Sequence, residues 1–316
     1  MLKVIAKRML ASAMLLLASS FVVFSLIAIA PGSPLQVLLG GRKVDRATAL
    51  ILEHRYHFDK PFLVQYGYWL RNVVHGNLGD SIAYRDTVAS VIKSRVAPTL
   101  ELGLYATVLV LVIGLTLGVI AAIRRGRRTD AVASFAMLIA SSISPYVSGI
   151  LLIWFFAVEL RWFPVFSLGT GVSGRVYHLT LPAIALALGL TALLGRVTRA
   201  SLSQALGEDY VQTARSRGFR ERRVIFKHAF RSAFIPVLTI TGVIAGYLIS
   251  GAVLVEYTFG LNGLGSLLVD SVQSRDFAVV QAIVLIFTAV FLVINLVVDL
   301  LYVVIDPRTR LAEEGS

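Results

Sequence analysis

The sequence predicts an all-α membrane protein with about six transmembrane helices and a large extracytoplasmic loop after the first. Three observations carry this expectation. Hydrophobic residues fill 57% of the 316 positions and charged residues only 15%, where a soluble domain has about 25% charged. Mean hydropathy is +0.79, so the chain lacks the polar surface to stay in water. Six uncharged runs, at 10–30, 102–123, 131–158, 179–195, 232–255 and 277–298, meet or approach the ~20 helical residues needed to cross a ~30 Å hydrocarbon core. Lys and Arg outnumber Asp and Glu by 30 to 18. They sit between the apolar runs, a pattern that suits an anionic membrane surface rather than nucleic acid.

Each run is justified in turn. The first follows Lys3, Lys7 and Arg8 and ends at Ala28-Ile29-Ala30. It is longer than the ~7–15 residues of a signal-peptide core, and Pro31 follows at once, so it reads as a retained span. The second run has no charge between Glu101 and Arg124. The third contains Pro145, which frees a carbonyl and is expected to bend that helix. The fourth is the shortest. The fifth and sixth are flanked by Glu256 and Asp299 near their ends.

Orientation follows the basic residues of the short loops. With the N-terminus inside, the inner segments carry Lys3, Lys7 and Arg8, the arginines at 124, 125, 127 and 128, nine basic residues between Arg196 and Arg231, and Arg308 and Arg310. The short outer loops carry only Arg161, Arg175 and Arg275. Both termini are therefore expected in the cytoplasm. There is no cysteine, so no disulfide and no thiolate metal site.

No internal repeat or linker divides the chain, which reads as a single transmembrane domain over 1–316 with two hydrophilic excursions. The outer one spans 32–98 and holds an amphipathic stretch from Pro61 to Leu70, suited to an interfacial helix or to an ordinary small core helix. The inner one spans 196–231. Within it, 209–217 can form a short helix with Tyr210, Ala214 and Val211 on one side. Asp209 at its start and Arg215 and Arg217 at its end match the helix dipole. Gly218 suits a left-handed cap, and a second basic helix from Glu221 leads into the fifth span. Two short helices joined by a glycine make a compact basic module.

Catalytic signatures are missing. No Gly-Lys pair occurs, so no Walker A loop can hold ATP phosphates. Neither a G-x-S-x-G elbow nor H-E-x-x-H occurs among the five histidines His54, His57, His75, His178 and His228. His54 and His57 can share a helix face but lack a third ligand. The span interiors carry no carboxylate chain of the kind that relays protons. Gly114/Gly118 and Gly242/Gly246 give small-xxx-small faces for close helix packing or dimer contact. A chain of this kind needs an external energy source if it pumps.

At this point the sequence resembles the dipeptide/oligopeptide class of ABC importer permeases, specifically the first of the two paired subunits, over nearly its whole length. The strongest segment is 209–219, followed by Glu221-Arg222-Arg223-Val224 and His228-Ala229-Phe230-Arg231 through Leu238. It is similar to the family's EAA loop. Ala214 and Gly218 match its alanine and glycine, with Gln212 at the usual acidic position and His228 at a usually hydrophobic one. Further matches are 30–34, Phe58-Asp59-Lys60-Pro61 with Gln65-Tyr66 and Trp69-Leu70, the turn 76–81, the segment 256–265, Arg275-Asp276, and the tail Asp306-Pro307-Arg308. Ser33 stands where aspartate is frequent and Asn262 where proline is usual.

The resemblance implies a type I ABC importer transmembrane domain in the bacterial cytoplasmic (inner) membrane. It implies a coupling helix at 209–219 whose contacts with the ATPase involve Tyr210, Thr213, Ala214, Arg217, Gly218, Phe219 and Arg223. Trp69, Asp80, Glu256, Phe259 and Gly263 are the implied residues facing a binding protein. The implied partners are a second homologous permease, one or two ABC ATPase subunits, an extracytoplasmic substrate-binding protein and membrane lipid, but no nucleic acid. No cofactor is expected in this chain, and no catalytic residue; ATP and Mg belong to the ATPases. Peptides are the expected cargo. The same fold importing nickel, glutathione or another small solute is the alternative, and an ion-coupled secondary transporter is the more distant one.

Overall fold

The structure is a computed structural model that describes residues 2–29, 45–46, 51, 59–166 and 168–305. The 30–34 and 306–308 motifs, Phe58, His54 and His57 lie outside the described residues. In chain order the elements are α1 (Leu2–Ile29), α2 (Phe62–Val74), β1 (Asp80–Ser81), β2 (Asp86–Thr87), α3 (Val88–Lys93), α4 (Val96–Ile123), α5 (Arg128–Ser142) and α6 (Pro145–Leu152). A π-helical turn, Ile153–Glu159, extends α6. Then follow α7 (Gly171–Ala205), α8 (Asp209–Ser216), α9 (Glu221–Arg223), a second π-helical turn Val224–Ala229, α10 (Phe230–Thr258), α11 (Leu264–Gln273) and α12 (Phe277–Ile305). Among the described residues, five stretches of helix are long and apolar enough to cross a membrane, or six if a broken pair is taken as one span.

That pair corrects one expectation. Pro145 does not bend a continuous helix. Instead α5 stops at Ser142 and α6 starts afresh, the two bent by 101°. Ser144 caps the new helix by accepting from Val147 N–H at 3.3 Å, and Pro145 takes its first position. Proline suits that position because its missing N–H has no intrahelical partner there and its φ is already helical. The break is therefore encoded by a Ser-Pro start signal.

The fourth run, the shortest by sequence, lies inside the 35-residue α7. Arg175 and Arg196 delimit its uncharged part but do not end the helix, because a long helix can carry charge past the hydrocarbon. α7 is also the most enclosed span, with 61% of its apolar stretch buried.

The chain divides into two compact units. One comprises Leu100–Leu261 and the described residues from Val293 on. Its core is formed by Leu102, Ala106 and Val110 of α4, Leu186 and Leu194 of α7, and Ile244, Leu248 and Val255 of α10. Glycines set its closest helix approach. A Cβ on Gly114 would lie 3.1 Å from the Thr191 carbonyl oxygen and the Leu194 side chain. One on Gly118 would lie 2.6 Å from Thr198 Cβ and 2.7 Å from the Gly195 carbonyl oxygen. The small-residue face of α4 is thus used within the chain, against α7.

The other unit comprises Leu2–Thr99 and Asn262–Leu292. Here α2 packs on α1 through aromatic rings. Phe24 meets Phe62, Tyr66 and Trp69 at centroid separations of 5.4, 5.6 and 5.3 Å, and Tyr66 Oη lies 2.7 Å from Ser20 Oγ. A second cluster joins Val88 and Ile92 of α3, Leu264 and Leu267 of α11, and Val279 and Ile283 of α12.

Candidate functional site

The basic module is built on the ends of three spans. Val211 and Ala214 of α8 are buried against Ala122 of α4, Leu202 and Ala205 of α7, and Ala233 of α10. Small side chains let α8 lie close to these helices, so a push on α8 has a packed path into the spans. The helix ends in a Schellman motif. Gly218 has φ +78°, its N–H donates to the Arg215 carbonyl at 2.9 Å, and the Phe219 N–H donates to the Ala214 carbonyl at 3.3 Å. This is the left-handed cap that glycine takes without strain.

The exposed face is then fixed by side chains. Tyr210, 44% exposed, donates from Oη to Ser232 Oγ at 3.1 Å. Phe219, 38% exposed, is held by two neighbours. His228 stacks on its ring with centroids 5.8 Å apart, and the Arg223 guanidinium sits 5.1 Å from its centroid, within cation–π range. Arg215 reaches back over the glycine turn to Glu221, with contacts of 2.7 and 3.2 Å. The Glu221 carboxylate raises the Arg215 guanidinium above its ordinary value, so the pair stays ionised near neutral pH. Thr213 Oγ1 donates to the Asp209 carbonyl at 2.9 Å, and Arg217 is exposed.

The structure rearranges the sequence-based picture of this face. Tyr210 points outward while Val211 takes the buried position beside Ala214. Ala214 is packed inward, where it seats α8 on the spans. Arg215 belongs to the internal latch with Glu221. Ser232, His228 and Glu221 were missed as partners. Their signal lay in pairs separated by the turn, which helical periodicity does not reveal.

The residues that the resemblance assigns to a binding-protein face are each placed within their own unit. Trp69 is half-buried between Phe24 and Tyr66, with Tyr66 stacked at 6.1 Å. Asp80 is half-buried in β1, opposite Thr87. Glu256 is 0% exposed and Phe259 is 1% exposed, and Gly263 is also buried. Phe259 packs in the α4–α7–α10 core, because α10 carries its apolar face through to its last turn. The polar organiser missed by sequence is Asp276, 4% exposed. It accepts from Ser81 Oγ at 2.5 Å and from the Ala83 N–H at 3.1 Å, tying the short hairpin to the start of α12.

Asp276→Ala removes the Oδ2 that accepts both bonds while Ser81 stays buried. We expect a loss of about 2–4 kcal/mol, as for a buried hydrogen-bonded carboxylate whose partners are left unsatisfied. Limited proteolysis across 76–90 checks it, with faster cleavage expected in the variant and unchanged cleavage counting against an organising role.

On the basic side, Asp130 at the start of α5 is 5% exposed. It receives Arg199 Nε at 2.5 Å and Nη2 at 2.9 Å, and the Gly126 N–H at 3.0 Å. This bidentate pair fixes the α4–α5 turn to the end of α7. No local pattern announces it, because its two members are 69 positions apart.

Comparison with known proteins places the chain. The family described as "Binding-protein-dependent transport system inner membrane component" matches residues 114–311, and its N-terminal counterpart matches residues 1–103. The chain is 38% identical over 310 residues to the glutathione transport system permease protein of Escherichia coli K12, covering 98% of this chain and 99% of that one. It is 35% identical over 291 residues to the "Probable peptide ABC transporter permease protein y4tP" of Sinorhizobium fredii, covering 91% and 93%. Among solved structures, the crystal structure of an amino acid ABC transporter with histidines matches with a TM-score of 0.51 at 20% identity. That match covers 67% of this chain and 93% of the other and speaks to the fold alone. A helical chain with five or six candidate spans among its described residues, a capped basic module seated on the ends of three of them, and family matches along most of its length belongs to the binding-protein-dependent transport system inner membrane components, and is a permease subunit of an ABC importer.

Proposed function

We propose that this chain forms, with a second homologous permease, the pore of an ATP-driven importer for short peptides in the bacterial cytoplasmic membrane, and that α8 is its coupling helix. The observation that carries the coupling role is the two-sided build of the module. Val211 and Ala214 join it to three spans, while Tyr210, Thr213, Arg217 and Phe219 face outward. Exposed aromatics with a cationic rim suit a partner surface that offers apolar pockets and carboxylates. Separate ATPase subunits would bind ATP and Mg. Their closure would move this module and its counterpart together, and hydrolysis would reset the pore. The bias of basic residues toward the inner segments supports a cytoplasmic module and cytoplasmic termini, and an extracytoplasmic binding protein would deliver the cargo. The peptide class is supported by the two relatives named above, since glutathione is itself a γ-linked tripeptide.

The test is copurification of the full chain with its partners, comparing wild type with Gly218→Pro. Proline cannot adopt the φ of +78° seen there and removes the N–H that caps α8. ATPase recovery is expected to fall about tenfold or more, in line with the ~3 kcal/mol of a misplaced proline, while the second permease is retained. Equal ATPase recovery would sink the coupling assignment. For the cargo, uptake of a labelled dipeptide should depend on this chain and be competed by glutathione. Dependence on this chain for nickel uptake alone would overturn the peptide reading.

A further inference from the structure

A cleft of about 420 Å³ opens beside the Asp130–Arg199 pair, lined by Arg125, Arg199, Ala200, Ser203 and Gln204. We propose that it binds the phosphate of an anionic phospholipid. Three observations and one general precedent converge on that ligand, and none depends on what the importer carries.

The first is charge. Asp130 occupies the Nε and Nη2 edge of Arg199, which holds the guanidinium rigid and leaves Nη1 free of that bidentate contact. Arg125 forms no ion pair among the described residues, and the neighbouring Arg124, Arg127 and Arg128 are all exposed. Asp130 offsets one positive charge, so the immediate set is still cationic. Arginine donors in a fixed fork suit phosphate oxygens.

The second is an orphan hydroxyl. Ser203 Oγ is buried and has no hydrogen-bond partner among the described residues. A serine hydroxyl left in that state calls for an acceptor, and because Ser203 lines the cleft, a rotation about its Cα–Cβ bond would bring the hydroxyl to a phosphate oxygen there. Gln204, exposed at the rim, adds an amide donor.

The third is position along the spans. Arg125 lies two residues past the end of α4 at Ile123, and Arg199 lies four past Gly195, where the uncharged part of α7 ends. At ~1.5 Å per residue Arg199 is about 6 Å beyond its apolar run, and Arg125 sits in the turn just past the end of its own. The headgroup layer on each side is about 5–8 Å thick, from the difference between ~30 and ~40–45 Å. The cleft thus sits at the depth of a lipid phosphate. The fourth is chemical precedent of a general kind: basic pockets between spans accept anionic headgroups.

Free inorganic phosphate shares this chemistry, and the experiment separates the two sources. The full chain is purified in detergent, its lipid is exchanged for phosphatidylcholine, and native mass spectrometry follows phosphatidylglycerol added back. Wild type is expected to hold one phosphatidylglycerol in preference to phosphatidylcholine. Arg125→Gln should weaken that binding about fivefold, the usual worth of one basic residue at a membrane surface. Ser203→Ala should weaken it in the same direction. Arg222→Gln, an exposed arginine of the basic module outside the cleft, should leave it unchanged. Arg125 is exposed and Ser203→Ala only trims a hydroxyl, so thermal unfolding of both should match wild type. Equal binding by the Arg125 and Ser203 variants, an equal loss in Arg222→Gln, or no preference for phosphatidylglycerol would each overturn the site. Displacement of phosphatidylglycerol by low-millimolar inorganic phosphate would overturn the lipid and leave free phosphate as the ligand.

Discussion

Asp130→Asn is expected to destabilise the chain by about 2–4 kcal/mol. Breaking a buried ion pair by removing one partner typically costs about 3–5 kcal/mol, because the other charge is left uncompensated. The lower figure applies here because the Arg199 side chain keeps 33% of its surface in solvent, where screening weakens the loss. Asparagine retains one acceptor for the Gly126 N–H but cannot meet both Arg199 donors. Removing both charges together, as Asp130→Asn with Arg199→Met, should recover part of the stability, since no charge is then left without its partner. Thermal unfolding in detergent, followed by intrinsic fluorescence, measures all four corners of the cycle. Strict additivity of the two single losses would show that the pair is not coupled.

Gly118→Val should have the larger effect and prevent recovery of folded protein. Even alanine places its Cβ 2.6 Å from Thr198 Cβ and 2.7 Å from the Gly195 carbonyl oxygen. One of those atoms is backbone in the middle of α7 and cannot swing aside. Overpacking of a tight core costs about 1–3 kcal/mol, and more where backbone must move. We therefore expect about 3 kcal/mol for Gly118→Ala and loss of the monodisperse peak in size-exclusion chromatography for Gly118→Val. The control is Gly103→Ala in the same helix. Nothing lies within 4 Å of its Cβ, so the gain of about 0.5–1 kcal/mol in helix propensity should stand alone. Opposite signs at two glycines of one helix would show that the α4–α7 contact, and not glycine content, sets the requirement. A neutral Gly118→Ala would place that contact in doubt.

Much of the architecture was legible because the bilayer imposes a one-dimensional rule. A span must be long and apolar, and the described residues of the expected runs fall inside helices or the broken pair. Gly218 was legible for a local reason: a glycine between two short helices with basic residues before it is a capping signal, and the φ follows from it. The break at Pro145 was half legible. Proline announced an interruption, but only Ser144 one residue earlier made it a new helix start, and the 101° turn depends on what α5 and α6 then pack against.

Composition, length and local motif were enough to tell that this chain lives in a membrane, how many times it can cross, where its basic module lies and to which family it belongs. Packing settled which residues meet. Asp130 finds Arg199 across 69 positions and Ser81 finds Asp276 across 195, while Trp69, Glu256 and Phe259 turn into the protein. A side chain's direction is set by long-range packing, and periodicity along a single stretch of sequence carries no record of the partner on another helix.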